Sequence, residues 1–94
     1  MKQFKDLKFS EHPNHIGGVQ SRIIFDNGYG ASVVKTPYTY GGDRGLYELA
    51  VLDGNGSLTY ATPITDDVIG YLRPEDVTDV MEKIQQLPTY TEKN

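Results

Sequence analysis

Between Tyr38 and Gly45 the chain reads Tyr-Thr-Tyr-Gly-Gly-Asp-Arg-Gly, and this stretch holds its densest chemistry. Tyr38 and Tyr40 offer flat rings and hydroxyls, and Gly41 and Gly42 let another chain or a ligand approach the backbone. Arg44 adds a guanidinium fork beside Asp43. Two chemistries fit those residue types. Exposed amides at Gly41 and Gly42 can cradle a phosphate with Arg44 as the counter-charge while Tyr38 or Tyr40 stacks on a base. Alternatively, tyrosine and arginine are what protein-recognition loops favour, and Tyr29 at a neighbouring hairpin tip would extend the patch. The plain structural reading is a long connection between strands with aromatic anchors on the core.

Other constellations are weaker. His12 and His15 are three apart, the spacing of a helical metal pair, but Pro13 and Asn14 argue against a helix and no cysteine or third ligand stands nearby. Loop histidines are the expectation, and no metal or cofactor is expected. Asp53-Gly54-Asn55-Gly56 has the opening pattern of a calcium loop without its closing glutamate, which leaves a hairpin turn. The carboxylates of Asp66, Asp67, Glu75, Asp76 and Asp79 precede or open a helical stretch. They read as capping and solvating charge, with an acidic edge that imitates nucleic-acid phosphates as the alternative. No nucleophile–base pair accompanies them, so an enzyme is not expected.

The elements that must position these residues follow from periodicity. Val19 to Phe25 is β-branched, and Asp26-Asn27-Gly28-Tyr29 carries the Asn-Gly pair of a two-residue type I′ hairpin. That turn pairs Phe25 with Gly30, Ile24 with Ala31 and Ile23 with Ser32. Leu46 to Leu52 is apolar at almost every position and reads as the central strand. After the turn at 53–56, Ser57 to Thr62 reads as a returning strand that Pro63 ends. Thr65 to Leu72 is ambiguous between strand and helical turn. From Pro74, with Glu75 and Asp76 in the first turn, Val77, Val80, Met81, Ile84 and Leu87 recur at helical spacing, which predicts a helix over 74–87. Residues 1–10 are a possible edge strand and 88–94 a frayed tail.

The fold class expected is α+β: a twisted antiparallel sheet of four to five strands in two hairpins, with the C-terminal amphipathic helix on one face. Its 94 residues make a single domain, 1–94. One helix cannot cover both faces. Ile24, Ala31 and Val33 are expected on the uncovered one, to be met by the N-terminal segment, by loops or by a second copy. The absence of cysteine removes disulfides and thiolate sites, and the N-terminus has no continuous apolar run, so a cytoplasmic protein without a membrane anchor is expected. A net charge of −4 argues against duplex nucleic acid as a partner.

The strings Phe25-Asp26-Asn27-Gly28-Tyr29-Gly30, Ser32-Val33-Val34, Tyr40-Gly41-Gly42, Gly45-Leu46-Tyr47-Glu48-Leu49-Ala50-Val51-Leu52 and Thr62-Pro63-Ile64-Thr65-Asp66-Asp67-Val68-Ile69-Gly70-Tyr71-Leu72 resemble small accessory proteins of tailed bacteriophages. The resemblance covers roughly residues 4 to 87. That family has no assigned activity and supplies no catalytic residues. It implies a host bacterial cytoplasm and proteins that inhibit or redirect host factors, antiviral defence included. The expectation is a non-enzymatic protein that captures a host factor. The alternatives are a sponge for a small nucleotide or phosphate ligand at the Tyr/Gly/Arg loop, or a structural subunit without a ligand.

Overall fold

The computed structural model describes residues 1–13, 17–65 and 67–91. Among the described residues five strands form one antiparallel meander in chain order: β1 (Ser10–Glu11), β2 (Val19–Ile24), β3 (Gly30–Lys35), β4 (Tyr47–Leu52) and β5 (Ile69–Leu72). Helix α1 (Pro74–Gln85) follows, and the expected α+β fold with a C-terminal helix on one sheet face is what the chain adopts. Among the described residues no helix is long and apolar enough to cross a membrane.

The helix buries Val77, Met81 and Ile84 against Ala31, Val33, Leu49, Val51, Phe25 and Leu72 of the sheet. Each such side chain contributes roughly 1.5–3 kcal/mol by leaving water. Pro74 is the first helical residue, and the backbone N–H of Arg73 donates to Asp76 Oδ2 at 3.0 Å, closing the first turn. The helix ends two residues before the expected Leu87. There Asn27 of the first hairpin donates from Nδ2 to the carbonyls of Ile84 (2.9 Å), which also accepts from Leu87 N–H, and of Leu87 (3.1 Å), so that a side chain of the sheet serves the helix end.

That contact accompanies a correction. The first hairpin closes through three residues, not two: Phe25 N–H donates to Tyr29 O at 2.8 Å, and Gly28 takes the left-handed conformation at φ 93°. The register is therefore Ile24 opposite Gly30 and Ile23 opposite Ala31, one residue away from the two-residue turn. A slip of one exchanges the faces. Ala31 and Val33 point at the helix with Ile23, and of the three residues expected on the open face only Ile24 lies there.

Further differences concern the remaining strands. Ser57 to Thr62 does not return as a strand. Only Leu58 bridges Leu52, and Thr59 N–H reaches Val51 O at 2.9 Å. The place beside β4 goes to β5 instead, so β4 is an inner strand while β3 is central. The first ten residues supply only Ser10 to the edge strand, and Phe4–Asp6 is a short 3-10 turn. Phe4 N–H donates to Thr78 Oγ1 (2.9 Å), Lys2 N–H donates to Gln85 Oε1 (2.8 Å), and Gln85 Nε2 donates back to Lys2 O (2.8 Å). Phe4 and Phe9 also pack their rings on Tyr47. The N-terminal segment thus lies on the helix side and does not cover the second face. Nor are residues 88–91 frayed: Tyr90 N–H donates to Asn27 O at 2.7 Å and its ring meets Tyr29 edge-on at 5.4 Å. Residues 92–94 lie outside the described residues.

Candidate functional site

The Tyr/Gly loop is built around Thr36, which is buried. Thr39 Oγ1 accepts from Thr36 N–H (3.0 Å) and donates to Thr36 O (3.1 Å), while Thr36 Oγ1 accepts from Tyr38 N–H (3.1 Å). This clamp turns the chain sharply after β3. Gly42 then passes so close that a Cβ there would stand 1.8 Å from Thr36 O, so only glycine fits. A 3-10 turn, Gly42–Arg44, follows between left-handed residues at Gly41 and Gly45.

Three amides of this loop are spent inside it. Gly42 N–H donates to Thr39 O (3.0 Å), Arg44 N–H to Gly41 O (2.9 Å) and Gly45 N–H to Gly42 O (3.1 Å). The Gly42 amide is therefore not the open anion donor that the phosphate cradle requires. Asp43 and Arg44 stand exposed on the turn. Tyr38 is 80% exposed and Tyr40 58%.

A further tyrosine joins them that the sequence reading did not single out. Tyr47 pairs with Leu72 and Leu49 with Ile69, so Gly70 and Tyr71 together stand opposite the single residue Glu48. This is a β-bulge, a device that re-aims a side chain and increases local twist. Tyr71 carries it at φ 57°, a left-handed conformation that costs a bulky residue of order 1–3 kcal/mol. The residue is 58% exposed. Loop and bulge hold each other: Tyr71 N–H donates to Tyr40 O (3.1 Å), Tyr40 N–H donates to Glu48 Oε2 (2.8 Å), and Gly41 leaves space where a Cβ would lie 2.9 Å from Tyr71 Cα. Tyr40 and Tyr71 thus stand together at one end of the sheet, both exposed, with the exposed Tyr38 and Arg44 on the same loop as Tyr40. A signal was present in the sequence, because Ile69 and Leu72 both face the core although they are three apart in a strand. Period two forbids that without one extra residue.

Tyr29 is not part of this surface. It is partly buried beside Tyr90 at the far end of β3, which its six residues separate from the loop by about 20 Å.

Arg73 ties down part of the acidic helix start. Its Nε donates to Asp76 Oδ2 at 3.1 Å and lies 3.7 Å from Glu75. The side-chain hydrogen bond from Arg73 holds the Asp76 carboxyl below its ordinary range, aided by the Arg73 backbone N–H, and the same bond raises Arg73. Capping fits these contacts. Asp66 lies outside the described residues, as do His15 and Asn14. Among the described residues no group of three His, Asp or Glu side chains stands close enough to hold a metal ion. In the 53–56 turn, Asp53 Oδ1 accepts from the amides of Asn55 (2.9 Å) and Ser57 (3.0 Å), a turn-closing role.

Fold and site together define a small α+β domain with a constrained aromatic surface at one sheet end. Comparison with protein-family models, with curated proteins and with solved structures finds no match.

Proposed function

We propose that this chain is a non-enzymatic binding protein that engages a macromolecular partner through Tyr38, Tyr40, Tyr71 and the neighbouring Arg44. The observation that carries the reading is Tyr71: a bulky side chain held in left-handed backbone within a bulge, in a residue that is more than half exposed. Burial of the ring does not offset the strain, and a glycine at this position would avoid it. The strain is accounted for when the ring contributes to a contact outside the chain. Tyrosine and arginine are the side chains that most often anchor interfaces, since they bring large area and a polar tip at low entropic cost. On the sequence resemblance to phage accessory proteins, the partner we propose is a host factor in a bacterial cytoplasm, antiviral defence included.

Affinity capture from bacterial lysate tests this. The wild-type protein is expected to retain a polypeptide at a fixed stoichiometry, and Tyr40→Ala and Arg44→Ala to lose it with unchanged thermal midpoints, because both side chains are exposed. Retention of the same polypeptide by both variants overturns the proposal.

A further inference from the structure

Two turns of the chain are built alike. In the first, Phe25 N–H donates to Tyr29 O at 2.8 Å, Gly28 N–H donates to Phe25 O at 3.0 Å, and Gly28 is left-handed at φ 93°. In the second, Asp53 N–H donates to Ser57 O at 2.8 Å, Gly56 N–H donates to Asp53 O at 3.0 Å, and Gly56 is left-handed at φ 78°. Each carries an Asn-Gly pair, Asn27-Gly28 or Asn55-Gly56, at the same two positions. What differs is the asparagine side chain. Asn27 is half-buried, its Nδ2 donates to Ile84 O and Leu87 O, and its Oδ1 accepts from Tyr29 N–H at 3.2 Å. Asn55 is exposed, and its side-chain amide makes no hydrogen bond among the described residues. In that turn the closing role falls to Asp53, whose Oδ1 accepts from the amides of Asn55 and Ser57.

We infer that Asn55 is a site of spontaneous deamidation, and that the fold withholds the same reaction from Asn27. The backbone nitrogen of Gly56 attacks Cγ of Asn55, the Cγ–Nδ2 bond breaks, and ammonia leaves with the proton that the Gly56 nitrogen gives up. The product is a five-membered succinimide. Water then opens either of its carbonyls, leaving aspartate or isoaspartate at position 55. Glycine suits the attack because no side chain shields its nitrogen. In both turns that nitrogen must first release its bond to the carbonyl three residues back, so this step does not distinguish them. The side chains do. Asn55 is free to swing its Cγ onto the nitrogen, whereas three hydrogen bonds hold the amide of Asn27, which reacts only after its contacts to the helix end have opened. At position 55 the product adds a negative charge to a turn that already holds Asp53, in a chain that carries −4. Its isoaspartyl form also lengthens the main chain by one carbon just before Gly56, the residue whose carbonyl accepts from Arg22 Nη1 at 3.3 Å.

The test needs only the unmodified protein. It is incubated in mildly alkaline buffer, folded in one series and unfolded in guanidinium chloride in the other, then digested and mapped by mass spectrometry for the replacement of each amide by a carboxylate. Unfolded, both Asn-Gly pairs are expected to convert. Folded, and with each site referred to its own unfolded rate, Asn27 is expected to be slowed at least about tenfold more than Asn55, because its conversion waits on an opening that breaks three hydrogen bonds. Electron-transfer fragmentation is expected to find both aspartate and isoaspartate at position 55, the mark of a succinimide. A smaller difference between the two sites, an Asn55 that keeps its amide in the folded protein while the unfolded chain converts, or aspartate there without isoaspartate overturns the inference.

Discussion

Asn27, at the tip of the first hairpin, and Ile84, in the last turn of the helix, are joined by a 2.9 Å hydrogen bond from the Asn27 Nδ2 to the Ile84 carbonyl. The same amide nitrogen reaches Leu87 O at 3.1 Å, and the Asn27 carbonyl accepts from Tyr90 N–H at 2.7 Å. One turn residue thereby fastens the helix end and the C-terminal segment to the sheet.

Asn27→Ala removes the side-chain donor to both carbonyls; Ile84 O keeps the Leu87 N–H at 3.1 Å, and Leu87 O loses its Asn27 partner. The expected loss is about 1–3 kcal/mol, read as a fall in the thermal midpoint of several degrees in a domain of this size. Asn27→Asp is expected to be worse still, since a carboxylate faces the negative end of the helix. Calorimetry of both variants checks the order.

This contact also marks where the sequence stops being legible. The helix was readable because Pro74 and the stripe Val77–Met81–Ile84 are local signals. The hairpin itself was readable from Asn27-Gly28, but its register was not. The loop length belongs with a bond to a helix terminus nearly sixty residues away, which a turn motif cannot report. Ser57 to Thr62 has strand-like composition, yet β5 takes its place beside β4. β5 was obscured by its own bulge, since Gly70 and Tyr71 break the period-two pattern. In the site, Tyr38 and Tyr40 were visible as types. That Gly42 serves close backbone packing and Tyr71 completes the surface required the fold.

Gly42→Ala would force a methyl group into the Thr36 carbonyl, at 1.8 Å. The Thr36–Thr39 clamp must open to admit it, and the expected destabilisation is about 2–4 kcal/mol. Chemical denaturation is the check. A loss below about 0.5 kcal/mol, the range of an ordinary surface substitution, would show that the loop tolerates the shift.

Asp76 sets a pH dependence. Its folded pKa lies below the ordinary 3.8 because Arg73 bonds the charged form. A depressed carboxylate contributes stability that is fully present above its unfolded pKa and is lost as pH falls through the folded one. The midpoint advantage of the wild type over Asp76→Asn is therefore expected to be constant near neutrality and to shrink on acidification below about pH 4. A difference independent of pH would assign the effect to packing. Arg73, whose pKa is raised, stays charged throughout this window.

The most direct test of the central claim is Tyr71→Gly, measured for both stability and capture of the partner. Glycine adopts the left-handed backbone without strain, so the thermal midpoint is expected to hold or rise by the equivalent of about 1 kcal/mol, while the captured polypeptide is lost. Unchanged capture, or a large fall in the midpoint, would show that Tyr71 serves the fold and would contradict the account.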